Sequence, residues 1–180
     1  MILPIQIHGS NVLREIAEEI DINNRPEIDE FISDLIETLR TTKTGVGIAA
    51  PQVGKSIRLF ILWADRHLGK EPQVFINPEI VTLKGSKKMG QEGCLSVPGV
   101  YARVKRHQKV RIKYLDGDWN PQEKLIKGFE SVVIQHEYDH LNGKEFFDHL
   151  SKEEFEKIKY KLDKLENGDI PELEYEYSLT

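Results

Sequence analysis

Residues 129–143 of the chain are FESVVIQHEYDHLNG, and this stretch decides the fold prediction for the residues around it. Its apolar residues recur with the 3.6-residue period of an α-helix, and Asn142-Gly143 is a typical helix C-terminus. His136 and His140 lie one helical turn apart, on a face that is otherwise apolar. Two buried imidazoles without partners would be costly there, so the stretch predicts a core helix whose histidines bind a partner.

The same helix contains the pattern H-E-x-x-H at residues 136–140. Imidazoles at positions i and i+4 can bind one metal ion, and Glu137 between them is placed to take a proton from water on that ion. With three fixed positions, the pattern alone is only moderately specific. The competing interpretation is that His136 and His140 are ordinary helix residues, which the apolar face that they share makes the weaker one.

A catalytic zinc-type site usually has three protein ligands and one open position, so a third ligand is needed. Cys94 is the only cysteine in the chain, and it lies between Gly93 and the predicted turn at Pro98-Gly99. A metal ion could lower the pKa of a thiol on such a loop. From the residues alone, Cys94 is equally a third ligand or a small buried structural residue, and the downstream alternatives are His149 and the acids of the last helix.

A third notable segment, residues 45–52, is GVGIAAPQ. Its glycines and small residues allow close approach of the backbone to a ligand. The segment is not a phosphate-binding loop, because no Gly-Lys-Ser/Thr follows, and it does not open a Rossmann helix. We therefore interpret it as a close-packed wall beside a substrate, with Gln52 as a polar donor at its edge.

Around these segments the hydrophobic pattern predicts an α+β fold. Apolar residues at helical spacing predict a short helix over residues 13–20, an amphipathic helix over 26–41 and a last helix that begins after Ser151. A strand is predicted at 58–63, and antiparallel hairpins follow, with turns at Asn77-Pro78, Gly85-Ser86, Pro98-Gly99 and Asp116-Gly117. The expected architecture is mostly antiparallel strands packed around a central metal-binding helix, with N-terminal helices and a C-terminal helix.

Composition places limits on function. With 180 residues, 39% hydrophobic and 31% charged, the chain fits one globular catalytic domain over residues 1–180. A net charge of −5 argues against a specific nucleic-acid ligand. Because no secretory signal and no run of about 20 apolar residues is found, we expect a cytoplasmic protein without a membrane partner. The single cysteine excludes an intramolecular disulfide.

One stretch, residues 101–113, is strongly basic. We interpret it as the solvated face of a strand, and a weak contact with an anionic partner is the alternative. Its bases are Arg103, Lys105, Arg106, Lys109, Arg111 and Lys113.

Together the three segments resemble the peptide deformylase family. That family carries G-x-G-x-A-A-x-Q, then E-G-C-L-S, then H-E-x-D-H-L, and all three occur here in this order, beginning at Gly45, Glu92 and His136. The likeness extends from Leu3-Pro4-Ile5 to Phe147. One departure is Tyr101, where many bacterial members have arginine, so the contacts to peptide outside the main pocket are expected to differ.

The resemblance implies removal of the N-terminal formyl group from formyl-methionine of newly synthesised polypeptides. Cys94, His136 and His140 would bind one divalent metal ion, with Fe²⁺ expected and Zn²⁺, Ni²⁺ or Co²⁺ able to replace it. Glu137 would be general acid and base for metal-bound water, while Gln52 and the backbone N–H of Leu95 would stabilise the oxyanion. Gly47 would line the formyl site. The residues expected to form the methionine pocket are Val46, Val97, Phe129, Val132 and Val133.

Two other functions remain open at this stage. A zinc endopeptidase would share H-E-x-x-H but would not need Cys94. A structural metal protein without activity would not need Glu137, which does not hold the metal. Transient contact with the ribosome is a further expectation, since the substrate would be a nascent chain.

Overall fold

The computed structural model describes residues 1–179. Its helices are α1 (Arg25–Thr41), α2 (Phe129–His140) and α3 (Lys152–Glu166). Its strands are β1 (Ile5–Gln6), β2 (Gly47–Ala49), β3 (Leu59–Leu62), β4 (Gln73–Cys94), β5 (Val97–Leu115), β6 (Pro121–Lys127) and β7 (Tyr177–Ser178). Strands β2 to β6 pair antiparallel in chain order to form a five-stranded sheet, and β1 pairs in parallel with β7. The α+β prediction is confirmed, because α2 packs against β2, β3, β5 and β6.

The two long amphipathic helices form where they are predicted. Helix α1 has a proline in its first turn and buries an apolar stripe made of Ile28, Ile32, Leu35 and Leu39. Helix α3 begins at a capping box, in which the backbone N–H of Glu154 donates to Ser151 Oγ over 3.2 Å. Among residues 1–179, no helix is long and apolar enough to cross a bilayer. The predicted strand at 58–63 is β3, and all of its side chains are buried.

The predicted short helix over residues 13–20 is wrong. A 3-10 turn over Asn11–Arg14 stands in its place, and the chain beyond it is extended. The N–H of Ala17 donates to the carbonyl of Leu141 over 3.0 Å, so this segment bonds to neighbouring parts of the chain instead of to itself. Ile16, which the helical pattern would bury, is 75% exposed.

Three of the four predicted turns are also wrong. Asp116-Gly117 does join β5 and β6, but Asn77-Pro78 and Gly85-Ser86 lie inside β4 at shifts of the strand register, and Pro98-Gly99 lies inside β5. A β-bulge selects the same residue types as a turn, because both tolerate left-handed backbone and a missing donor. The φ angles of Asn77 and Gly85 are 46° and 77°. Strands β4 and β5 therefore form one long hairpin that turns at Leu95-Ser96.

Alternate residues of β5 point to opposite sides of the sheet. The side toward α2, here called the inner face, carries buried side chains: Val104, Arg106, Val110 and Ile112. The opposite side, the outer face, carries exposed bases: Arg103, Lys105, Lys109 and Lys113. The prediction of a solvated basic face is confirmed for these four residues and wrong for Arg106, which is 4% exposed.

Candidate metal centre and active site

The turn of the long hairpin and helix α2 bring together three possible metal ligands. Cys94 ends β4, while His136 and His140 lie one turn apart on α2. One ligand atom from each of the three residues lies within 4.8 Å of the others, and Cys94 Sγ is 3.3 Å from His140 Nε2. One sulfur and two imidazole nitrogens suit a divalent ion such as zinc or iron. The donor set therefore fits the metal that the H-E-x-x-H pattern predicts.

The two histidines have opposite electrostatic environments. Burial, and then the nearby His136, lower the pKa of His140 to about 3, which keeps its ring neutral as a metal ligand must be. For His136, burial lowers the pKa, but hydrogen bonds to Cys94 and Glu92 outweigh it and raise the pKa above the ordinary value. A proton on His136 is one that metal binding would release.

A buried ionic network holds His136 in place. His136 Nδ1 lies 2.9 Å from Glu92 Oε1, which leaves Nε2 as the nitrogen that can bind a metal. Arg106 donates from Nε to Glu92 over 2.9 Å and from Nη1 to Asp139 over 2.7 Å. Although burial raises the pKa of the Glu92 carboxyl, the bonds from His136 and Arg106 hold it below its ordinary value. The network thus fixes both the orientation and the tautomer of the ring.

Sequence reasoning did not find this network. For Glu92 a signal existed, because it stands only two residues before Cys94, although a register shift between them interrupts the regular alternation of the strand. For Arg106 the signal was weaker. Side chains alternate along a strand, and Arg106 has an even residue number whereas Arg103, Lys105 and Lys109 have odd ones. Its side chain therefore lies on the opposite face.

Glu137 is buried beside the ligands without a full set of partners. Its Oε2 has no hydrogen-bond partner among the described residues, and burial raises the pKa of its carboxyl to about 7. Gly47 of β2 passes directly against it, since a Cβ at Gly47 would lie 2.5 Å from Glu137 Oε1. A free carboxylate oxygen with this pKa can accept and return a proton near neutral pH.

Gln52 is oriented by two sets of hydrogen bonds. Its Oε1 accepts from the backbone N–H of Ala49 over 2.8 Å, so its amide group faces the other way. Its Nε2 lies 3.3 Å from Cys94 Sγ and 3.2 Å from Ser96 Oγ. The side chain therefore directs its N–H donors toward Cys94 and Ser96, beside the possible metal ligands.

One cavity of about 680 Å³ opens onto this site. Its lining includes every residue predicted for the methionine pocket, namely Val46, Val97, Phe129, Val132 and Val133. Gly47, Gln52 and Leu95 line it as well. Val133 is buried in the core, whereas Phe129 is 60% exposed and lies at the mouth. Tyr101 also lines the cavity, with its ring against Gly93.

Part of the cavity lining is formed by residues that the sequence did not suggest. Glu172, Leu173, Glu174 and Tyr175, which follow α3, line the same cavity as His136. They carry no motif and belong to no predicted element, so local patterns provide no signal for them.

Comparisons with known proteins agree on one family. The sequence profile described as Polypeptide deformylase matches residues 2–156. The chain is 46% identical over 155 residues to the peptide deformylase of Stutzerimonas stutzeri, covering 85% of this chain and 89% of that protein. It is 39% identical over 171 residues to that of Chlorobium limicola, covering 93% and 91%.

Solved structures lead to the same family. The crystal structure of the peptide deformylase from Plasmodium falciparum is similar with a TM-score of 0.84 and 34% identity, covering 91% of this chain and 95% of that one. The one from Thermus thermophilus gives a TM-score of 0.82 and 36% identity, covering 93% and 99%.

Proposed function

The chain belongs to the polypeptide deformylase family, and from this premise we propose which of its residues remove the formyl group. The protein is a metal-dependent hydrolase that takes the N-terminal formyl group from formyl-methionyl polypeptides. A zinc endopeptidase is not favoured, because both the family and the thiolate among the ligands argue for deformylation. The observation that carries the proposal is the convergence of Cys94, His136 and His140, next to Glu137, at a cavity that Cys94, His136 and Glu137 line.

Cys94, His136 and His140 would hold one divalent ion. When bound, such an ion lowers the pKa of a water molecule and polarises the formyl carbonyl. The convergence of the three side chains within 4.8 Å supports this assignment. Arg106 and Glu92 contribute by orienting His136.

Glu137 is assigned as the general acid and base. It takes the proton from the attacking water and gives it to the amide nitrogen, so that formate and a free methionine amino group are released. Its unpartnered Oε2 and its pKa of about 7 support both halves of this task.

The oxyanion is assigned to two donors, the side-chain amide of Gln52 and the backbone N–H of Leu95. A donor aimed at charge that develops only in the transition state typically lowers the activation free energy by about 3 kcal/mol. The bond from Ala49 to Gln52 Oε1 supports the role of Gln52, because it fixes which end of the amide faces the site.

The apolar part of the cavity is assigned to the methionine side chain. Val46, Val97, Val132 and Val133 would surround it, with Phe129 at the mouth and Gly47 beside the formyl group. Residues 1–180 are proposed to work as one catalytic domain.

The metal in the cell is proposed to be Fe²⁺, with Zn²⁺, Ni²⁺ or Co²⁺ able to replace it. A thiolate and two imidazoles accept all four ions, and affinity alone would favour zinc over iron. The resemblance to the family supports iron. Metal analysis of protein purified without oxygen tests this, and zinc in the most active preparation would overturn it.

We further propose cytoplasmic location and transient contact with the ribosome, because formyl-methionine begins chains at the ribosome. The exposed bases on the outer face of β5 have the charge that ribosomal RNA attracts. Co-sedimentation with ribosomes should fall with added salt and in Lys105→Glu, but not in the control Lys161→Glu. Equal binding by both variants would remove the outer face from the proposal.

The activity itself is tested with formyl-Met-Ala-Ser, by measuring formate and the new amino group. Stoichiometric release of both supports the proposal. Internal cleavage of an unformylated peptide at a comparable rate would overturn it in favour of an endopeptidase.

A further inference from the structure

The segment that follows α3 is extended and alternates two kinds of side chain. Leu173 and Tyr175 are half-buried, whereas Glu172, Glu174 and Glu176 are exposed. Leu173 packs on the core cluster around Val97, and Tyr175 packs on the separate cluster around Leu39. The segment therefore contacts two separate core clusters, and its residues 172–175 line the cavity.

Three contacts fasten this segment in place. The hydroxyl of Tyr175 donates to the carbonyl of Leu95 over 2.7 Å, and burial raises the pKa of this phenol, which keeps the donor protonated. Glu174 forms an ion pair with Lys43, and both residues line the cavity. Beyond Glu174, the N–H of Ile5 donates to the carbonyl of Glu176 over 2.8 Å, where the pairing of β1 with β7 begins.

The charges that line the cavity are mostly compensated within the protein. Lys43 is paired with Glu174, and Glu92 is paired with Arg106. Glu172 lines the mouth and is exposed, and within residues 1–179 its carboxylate has no ion pair or hydrogen bond. It is thus the uncompensated charge at the opening through which the rest of a peptide must leave the methionine pocket.

We propose that residues 172–175 form the outer wall of the peptide cleft, and that Glu172 favours substrates with lysine or arginine soon after the formyl-methionine. The inference rests on the proposed deformylase function. Tyr175 is a positioning residue, because it fixes the wall to Leu95 beside the reacting groups. Since Glu172 is exposed, the preference is modest and is screened by salt.

The test compares formyl-Met-Ala-Lys-Ala with formyl-Met-Ala-Glu-Ala. At low ionic strength the natural protein should show kcat/KM for the lysine peptide roughly two- to fivefold higher, and this ratio should shrink in strong salt. Glu172→Gln should lose most of the preference. Glu176→Gln is the matched control, since it removes the same charge from the same segment but does not line the cavity.

A second pair of variants tests the wall. Tyr175→Phe keeps the ring but removes the bond to Leu95, and it should raise KM for the tetrapeptides more than for formyl-Met-amide, which is too short to reach the wall. Tyr177→Phe, an exposed tyrosine of the same segment, should change neither. A merely structural role for Tyr175 would change both substrates alike.

The outcomes separate this inference from the function on which it rests. If no formyl peptide is hydrolysed, the proposed function fails. If all are hydrolysed but Glu172→Gln and Glu176→Gln show the same ratio of lysine to glutamate peptide, the inference fails and the function stands.

Discussion

Lys105 and Arg106 are neighbours in β5, yet they lie in opposite environments. Lys105 is exposed on the outer face, where water compensates its charge. Arg106 is buried on the inner face, and there Glu92 and Asp139 must compensate it. A buried charge is tolerated only when it is paired. Because Glu92 also contacts His136, its ion pair with Arg106 helps to fix the position of that ring. The position of a base in the alternation of a strand, not its chemical type, therefore decides whether it serves the active site.

The largest expected effect lies on α2, the helix that the inner face supports. Glu137→Ala should lower kcat by roughly 10²–10⁴-fold, because it removes the group that moves the proton. Metal content and unfolding should change little. The measurement is formate release with metal analysis of the same sample, and Glu123→Ala on β6 is the control. Near-normal kcat at full metal content would contradict the role given to Glu137.

The next effect compares the two neighbours directly. Arg106→Ala should lower the free energy of unfolding by about 3–5 kcal/mol, because it removes the buried cation that Glu92 and Asp139 share and leaves each carboxylate only its histidine partner. Lys105→Ala should change it by no more than about 0.5 kcal/mol. Urea unfolding of both variants measures the difference. Similar losses would mean that the two faces are not energetically distinct.

Selection for the methionine side chain should not depend on the outer face of β5. The pocket around Val133 buries an unbranched side chain, which is worth about 1.5–3 kcal/mol. Formyl-Met peptides should therefore exceed formyl-Ala peptides in kcat/KM by roughly tenfold or more, as much in Lys105→Ala as in the natural protein. Equal turnover of the two peptides would contradict the proposed methionine pocket. A change of the ratio in Lys105→Ala would show that the outer face also affects this selection.

The smallest expected effect is the loss of folding stability at acidic pH. The folded-state pKa values of Glu92 and Asp139 are lowered, since their bonds to Arg106 and to His136 or His149 outweigh burial. The stabilisation is therefore present above the ordinary values of 4.5 and 3.8 and is lost as pH falls below them. Unfolding free energy measured from pH 6 to 3 should fall in that window. Arg106→Met should flatten this fall, and Lys105→Met should leave it unchanged.

Much of the site could be predicted because its chemistry is local. The spacing of His136 and His140 follows from helix geometry, and Cys94 lies in a short motif next to a turn. What could not be predicted depends on pairing across the chain. Arg106 takes the inner face because of the register of β5, and residues 172–175 reach the cavity through contacts with Lys43 and Leu95.

The errors in the fold have the same physical origin. Residues 13–20 have helical spacing, but bonds to distant segments keep them extended. Gly85-Ser86 has the composition of a turn, but a partner strand continues past it, so the residues form a bulge. In both cases local propensity was overruled by hydrogen bonds that no short window of sequence contains.

The parallel pairing of β1 with β7 has a consequence for how the protein folds and opens. The five-stranded sheet joins strands that follow one another along the chain, so each pairing closes a comparatively short loop. The β1–β7 pairing closes a loop that contains nearly the whole chain, yet each strand contributes only two paired residues. The entropic cost of closing a loop grows with its length, and hydrogen bonds between two-residue strands offset little of that cost. We expect these strands to join late in folding, and their amides to exchange with deuterium well before those of β3. The wall of the cleft would thus open by local unfolding while the metal centre stays folded.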